Sequence, residues 1–300
     1  MGRIVVIGST NTDMVVRAPQ MPLPGETLMG KDFNVVAGGK GANQAVASAR
    51  ARGRVTFITK VGSDEFGEKA KAGLEADSID TTFVYKDTQT PSGVAIIIVD
   101  DKTGQNSIVV TPGANAALSV DDIEKAEPAI AEADILLVQL EIPLGAVEIG
   151  LQLAKKHKVT TILNPAPAQQ LSADILNNVD IITPNETETH ILTGINPLNE
   201  NDMAEAGRKL LDYVNQAVII TLGNKGAFYV TKNKDSGIIP ATSVGVTHTT
   251  AAGDVFNGYL AAFLAENIPI DRAIGIANKA ASISVTRNGA QPSIPFHEEL

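Results

Sequence analysis

A chain of 300 residues that is 44% hydrophobic and 19% charged can bury a large core, and its composition is that of an ordinary globular protein rather than a disordered one. A formal net charge of −10 and the lack of cysteine argue against nucleic-acid or anionic-membrane surfaces and exclude disulfide scaffolds, thiol catalysis and Cys-ligated metal centres. No apolar run reaches bilayer-spanning length and Ile4–Ile7 is too short for a signal-peptide core, so a cytoplasmic, soluble protein with no nucleic-acid and no membrane partner is expected.

The β-branched run Arg3–Ile7 predicts a buried first strand, followed by a polar turn over Gly8–Asp13. From Met14 to Val36 short apolar pieces are broken by Pro19, Pro22, Pro24 and Gly25, which suits short antiparallel strands and no helix. Gly38-Gly39-Lys40-Gly41 opens a helix with Ala42, Ala45, Val46 and Ala49 on one face, stopped near Gly53. Val55–Val61 is a second strand and Glu65–Ala76 an amphipathic helix. Gly93–Val99 and Asn106–Val110 flank a turn-rich segment and predict a hairpin. This hairpin and the Met14–Val36 pieces are expected to pair as one small sheet projecting from the main body.

From residue 119 onward the pattern becomes regular. Strands are predicted at Ile135–Val138, Thr160–Leu163, Val179–Thr183, Ala217–Leu222, Gly226–Thr231 and Gly237–Ile239. Helices are predicted at Leu144–His157, Met203–Val214, Asp254–Ala265 and Ile270–Ser284. Alternation of this kind implies an α/β fold, a doubly wound and mostly parallel sheet with helices on both faces. Ligands in such sheets bind outside the carboxyl ends of the strands, so the polar loops there are the places to look.

Thr249-Thr250-Ala251-Ala252-Gly253-Asp254 reads as the start of a helix. Its free N–H groups and the positive end of the dipole make an anion site that the small residues leave open to approach. Asp254 stands at the mouth of that site, suited to take a proton from a hydroxyl as a phosphoryl group is transferred to it. The same stretch also reads as an ordinary helix cap with an acidic first turn. Asn11 and Asp13, beyond the first strand, have the groups to hold adjacent sugar hydroxyls or to close an Asx turn. Gly38 to Asn43 combines repeated glycine at a helix start with the charge of Lys40 and the amide of Asn43. It is not a P-loop, and Gly8-Ser9-Thr10 does not extend to a dinucleotide fingerprint.

Glu141 lies at a strand end. In Pro184-Asn185-Glu186-Thr187-Glu188, Asn185 suits a phosphate, and Glu186 and Glu188 suit the water shell of Mg²⁺ or an acidic helix N-terminus. Thr221 to Gly226 suits a nucleotide's phosphates or ribose, or a glycine-stabilised hairpin turn. Asn278 interrupts an apolar helical stripe, where a purine edge or a backbone carbonyl is its partner. The four histidines lack zinc-ligand spacing, and His157, His190 and His297 read as surface residues.

Taken jointly, Asn11-Thr12-Asp13, Gly38-Gly39-Lys40-Gly41-Ala42-Asn43, Pro184-Asn185-Glu186-Thr187-Glu188, Thr221-Leu222-Gly223-Asn224-Lys225-Gly226 and Thr250-Ala251-Ala252-Gly253-Asp254 resemble the ribokinase (PfkB) family of sugar kinases, in order across the whole chain. Glu141, Asn278 and Arg287-Asn288-Gly289-Ala290-Gln291-Pro292-Ser293 bring it nearer to the ribose-phosphorylating members than to fructokinases or adenosine kinases. The resemblance implies one ribokinase-like domain over 1–300 with a β-sheet lid from about 14–37 and 93–110, and a homodimer formed through the lids.

It also implies ATP-dependent phosphorylation of D-ribose at the 5-hydroxyl. Asn11, Asp13, Gly39, Lys40, Gly41, Ala42, Asn43 and Glu141 would bind the sugar. Asn185, Thr221, Leu222, Gly223, Asn224, Lys225, Gly226, Gly253 and Asn278 would bind ATP. Ala251, Ala252 and Gly253 would form the anion hole, Asp254 would be the base, and Mg²⁺ would sit near Glu188 through water. His248, Thr250, Ser284, Arg287, Gly289 and Ser293 take the positions of an activating K⁺ site built mostly from backbone carbonyls. His248 departs from the aspartate usual there, and imidazole is a poor ligand for a hard alkali cation. Other sugars or nucleosides on the same scaffold, or a catalytically silent sugar- or nucleotide-binding regulator, are the alternatives.

Overall fold

The computed structural model describes residues 1–103 and 105–300; Gly104, within the second stretch assigned to the lid, lies outside the described residues. The first part contains β1 (Arg3–Ile7), β2 (Asn11–Ala18), β3 (Phe33–Gly38), α1 (Lys40–Arg50), β4 (Arg54–Gly62) and α2 (Glu65–Ala76). Then come β5 (Val84–Asp87), β6 (Gly93–Asp100), β7 (Asn106–Thr111) and the short α3 (Val120–Lys125) and α4 (Glu127–Ala131). Alternation follows with β8 (Ile135–Val138), α5 (Leu144–Lys156), β9 (Thr160–Leu163), α6 (Ala173–Leu176), β10 (Ile181–Ile182), α7 (Glu186–Thr193) and α8 (Glu200–Leu211). The last elements are β11 (Ala217–Thr221), β12 (Ala227–Thr231), β13 (Ser236–Ile239), α9 (Ala252–Ala265) and α10 (Ile270–Ser284).

The main sheet has nine strands in the order β13-β12-β11-β10-β9-β8-β1-β4-β5. Pairing is parallel from β11 to β5, and β12 and β13 add an antiparallel edge. The period of a strand decides where its side chains go. Ile4 and Val6 of β1 enter the core beneath α1, α9 and α10, while Val5 and Ile7 enter the opposite core with α5 and α8. Both faces are therefore dry, which is why the central strands read as unbroken apolar runs. Each fully buried Ile or Leu contributes about 1.5–3 kcal/mol.

A second sheet of four strands, in the order β3-β2-β6-β7, stands apart from the first. β2 and β3 are antiparallel, as are β6 and β7, while β2 and β6 run parallel. Three differences from the sequence reading have identifiable causes. The polar turn expected over Gly8–Asp13 ends at Thr10, and Asn11 to Asp13 already belong to β2, because Asn11 pairs with Gly38 and Gly93. The strand expected over Val179–Thr183 is regular only at Ile181 and Ile182: the Asp180 carboxylate takes the Thr161 N–H at 2.9 Å, displacing a ladder bond. β5 was not foreseen, since Val84-Tyr85-Lys86-Asp87 is short and half polar. No described helix is long and apolar enough to cross a membrane.

Candidate active site

A cleft of about 730 Å³ lies beyond the carboxyl ends of β9, β10 and β11, bounded by the first residues of α1, α7 and α9. Its geometry at α9 follows from sequence. Ala251 takes a left-handed conformation (φ 64°), which turns the chain sharply into the helix. The first bond back into the helix from that turn is Val255 N–H to Ala251 O at 2.9 Å, so the N–H groups of Gly253 and Asp254 point onward without a helical acceptor. A Cβ on Gly253 would meet nothing within 4 Å. These N–H groups are open to approach.

The glycines that begin α1 have a different reason. Gly39 has φ 90°, and a Cβ there would lie 2.7 Å from Asn11 N; on Gly41 it would lie 2.6 Å from the Gly8 backbone. A Cβ on Gly38 would run into the Asp13 carboxylate. The glycines thus let α1 press against the link between the two sheets. Ala42 is likewise turned into the core.

Four carboxylates and one lysine converge on this junction. Asp254 is buried and accepts from Asn43 Nδ2 at 3.0 Å and Gln44 Nε2 at 2.9 Å. Burial pushes its pKa above the ordinary aspartate value, although Lys40 and the two amide donors pull the other way. Asp13, on the inner face of β2, is pushed up to about 6, first by burial and then by the charges of Glu141 and Asp254. Glu188 is raised by burial. Burial works against the Lys40 charge, yet Asp254, Glu141 and Glu188 more than compensate and hold its pKa above the usual lysine value. Glu141 itself accepts from Ser9 Oγ at 2.5 Å and from the Lys40 backbone N–H at 3.1 Å, so it pins the start of α1 to the end of β1.

The cleft lining includes Lys40, Asn185, Glu186, Glu188, Thr221, Gly223, Asn224, Ala251 to Asp254 and Asn278. Several side chains named from sequence are committed elsewhere. Asn185 caps α7 by accepting the Glu188 N–H at 2.8 Å, while the Glu188 carboxylate accepts the Asn185 N–H at 2.8 Å, a reciprocal capping box. Asn278 Nδ2 donates to Ile239 O at 2.8 Å, which ties α10 to the loop on the cleft rim. Leu222 is buried in the core, Lys225 is exposed, and Gly226 has φ 100°, where a Cβ would lie 2.6 Å from Ala241 N.

Around His248, the Thr247 and His248 N–H groups both donate to Val285 O, at 2.7 and 3.1 Å. Ser284 and Ser293 spend their hydroxyls on Ala281 O and Ala290 O, and Arg287 pairs with Glu299. Thr250 is exposed and Gly289 has φ 90°. His157 is not a free surface residue, since it bonds Glu127 at 2.7 Å; His297 stacks on Phe263. His190 is exposed.

The sequence reading missed several buried polar groups that build the site. Asn115 accepts the Thr10 N–H at 2.8 Å and donates to Asn11 Oδ1 at 2.8 Å, which sets the start of β2. Gln44, Gln139, Asn164, Thr183 and Asn257 are buried around Asp254 and Gly253. A signal was present for three of them: Gln139, Asn164 and Thr183 directly follow apolar strands at their carboxyl ends.

Comparison with known proteins agrees with this fold. Residues 1–297 match the family described as pfkB family carbohydrate kinase, and the chain belongs to that family. Among its relatives, the ribokinase of Haemophilus influenzae is 46% identical over 99% of this chain and 96% of its own. The deoxyribokinase of Salmonella typhi is 38% identical over 99% of this chain and 97% of its own. The structure of Arabidopsis thaliana ribokinase complexed with ribose and ATP superimposes with a TM-score of 0.91 at 30% identity, covering 99% of this chain and 96% of that one.

Proposed function

We propose that this protein transfers the γ-phosphoryl group of ATP to the 5-hydroxyl of D-ribose. The observation that carries the reading is the placement of a buried carboxylate, Asp254, directly beside the free N–H groups of α9, with Asn11 and Asp13 on the facing sheet. Asp254 accepts the hydroxyl proton as that oxygen bonds to the γ-phosphorus, while the N–H groups of the α9 turn hold the charge on the phosphoryl oxygens. Asn11, Asp13, Gly39 to Asn43 and Glu141 form the sugar side. Asn185, the Thr221–Gly226 turn, Gly253 and Asn278 form the nucleotide side, Asn278 by shaping the rim.

Mg²⁺ fits the donor set. Among the described residues no group of three or more carboxylates or histidines forms a cage, and Mg²⁺ prefers one or two carboxylates together with phosphates and water. Glu188 would hold that water shell, and the ion would neutralise charge on the ATP phosphates. A monovalent cation has only the backbone carbonyls of Thr250, Ser284, Arg287, Gly289 and Ser293, because their polar side chains are exposed or engaged; the His248 imidazole adds no hard oxygen. K⁺ activation is therefore weak or absent in this chain. An activity titration with half-saturation at ordinary millimolar K⁺ would refute this, and His248→Asp is expected to restore a response.

The deciding experiment is ADP release from MgATP across D-ribose, deoxyribose, fructose, other pentoses and nucleosides. Turnover on D-ribose is expected. Preferred turnover of deoxyribose would shift the substrate, a reading favoured by the deoxyribokinase relative. ATP binding with no turnover on any acceptor would replace the kinase with a sugar- or nucleotide-binding regulator.

A further inference from the structure

The two hydrogen bonds that Asp254 accepts come from consecutive side chains of α1, and the two donors differ in what else they do. Asn43 Nδ2 donates to Oδ2 at 3.0 Å, and its own Oδ1 is buried without a protein partner. A buried acceptor of that kind is left for a hydroxyl of the cleft's occupant. Gln44 has nothing to spare. Its Nε2 donates to Asp254 Oδ1 at 2.9 Å and to Asn164 Oδ1 at 3.0 Å, and its Oε1 accepts from Gln139 Nε2 at 2.6 Å. Turning this amide over would set its oxygen against two acceptor oxygens and its nitrogen against a donor, so its orientation is dictated by its neighbours.

Those neighbours belong to the sheet. Gln139 and Asn164 are the first residues beyond β8 and β9, and Asn164 Nδ2 continues to Thr183 O at 3.3 Å beyond β10. Thr183 Oγ1 donates to Asn257 Oδ1 at 2.6 Å, and Asn257 Nδ2 to Gly253 O at 2.8 Å. The bonds leave Asp254, cross the ends of three adjacent strands and return to the turn of α9 that carries the free N–H groups.

We propose that Gln44 is the positioning residue of the transfer: it fixes Oδ1 of Asp254 against the sheet and leaves Oδ2, beside Asn43, as the oxygen that takes the hydroxyl proton. The inference rests on the reading of Asp254 as the base. As the proton passes to Oδ2, the sugar oxygen bonds to the γ-phosphorus. The bond from that phosphorus to the bridging oxygen breaks, and its electron pair leaves on ADP. Gln44 also favours the ionised carboxylate. Of the charged groups around it, Lys40 of α1 does the same, whereas Glu141 beyond β8, Glu188 of α7 and Asp13 of β2 oppose it.

The test uses the full chain with MgATP and D-ribose. A wild type that turns over no acceptor would sink the kinase reading itself; the variants are read only against an active wild type. Gln44→Met keeps the length of the side chain and removes its hydrogen bonds. Misorienting a reacting group costs about 100-fold, so kcat is expected to fall by about that factor, with both KM values within about threefold of wild type. Loss of a donor to the charged form should also move the acidic limb of the kcat profile up by about one pH unit.

Gln44→Glu gives a second readout. Ionised, it repels Asp254 Oδ1 and Asn164 Oδ1; protonated, it donates to Asp254. Its activity relative to wild type is therefore expected to be higher at acidic pH than at pH about 8. Unchanged kcat and limb in Gln44→Met, or a loss confined to KM, would overturn the proposal. If Gln44→Met does not fold, Gln44→Glu decides alone by its pH profile. Failure of both to fold would make Gln44 a packing residue and overturn the assignment.

Discussion

The carboxylates at the junction of the two sheets carry opposite demands of folding and function. Burial pushes the Asp254 pKa above the ordinary aspartate value, while Lys40 and two amide donors favour its charged form. Asp254→Asn preserves shape and removes the base, so turnover should fall about 10²- to 10⁴-fold while calorimetric ATP binding stays near wild type. Near-normal turnover would mean that Asp254 is not the base. Asp13 also carries a cost, because burial, Glu141 and Asp254 lift its pKa from 3.8 to about 6. A folded-state pKa above the unfolded one means that the fold favours the proton: that stability is complete below pH about 4 and is lost as pH rises through about 6. Asp13→Asn should therefore raise the melting temperature at pH about 8 and not at pH about 4, by an equivalent of at most about 3 kcal/mol. The same variant should weaken sugar binding at least about tenfold, because an acceptor-only group is lost. Equal melting shifts at both pH values would show that Asp13 is not held protonated by the fold.

At the scale of elements, the site depends on how α1 crosses α9. Gly258 makes the crossing possible, since a Cβ there would lie 2.7 Å from Gln44 O and 2.9 Å from Ser48 N. Gly258→Ala should force the helices apart, cost about 1–3 kcal/mol in urea unfolding, and lower kcat by moving Asn43 and Gln44 away from Asp254. A stable variant with full activity would show that the crossing has slack. Helices α9 and α10 were legible because their apolar periodicity is local, and Asp254 was legible because its neighbours in sequence announce an anion site. β2 and β10 were read incorrectly because partners remote in sequence settle their limits: Gly38 and Gly93 for Asn11, and Thr161 for the Asp180 carboxylate. Asn115 and Gln44 were invisible for a related reason. Their partners Thr10 and Asp254 lie 105 and 210 residues away, and a buried amide looks like any other polar residue until both ends of its hydrogen bonds are placed. Asn185 and Glu188 show the converse: the bland reading as a helix start accounts for hydrogen bonds that both side chains make.

At the scale of the molecule, the small sheet has two unlike faces. Asn11 and Asp13 point to the inner face with Ala95 and Ile97, whereas Phe33, Val35, Ile96 and Val109 share the outer one. These four are 61%, 49%, 51% and 66% exposed. An apolar sheet face of that kind, with β3 and β7 as free edges, is a liability in an isolated chain. The lid-to-lid homodimer that the family resemblance implies would cover it, and the covered sheet would hold β2, and with it Asn11 and Asp13, in place beside Asp254. Charge on the outer face should then act on both assembly and substrate. Val109→Asp replaces an exposed side chain and disturbs no buried packing, so the monomer should fold with a melting temperature near that of wild type. Sedimentation velocity is expected to give a dimer for wild type and a monomer for the variant, with KM for the sugar raised by more than KM for ATP, because only the sugar side is built on the small sheet. A dimer that survives Val109→Asp would send the interface elsewhere. A monomer with unchanged sugar KM would separate assembly from the site and leave β2 held by Asn115 and the glycines of α1 alone.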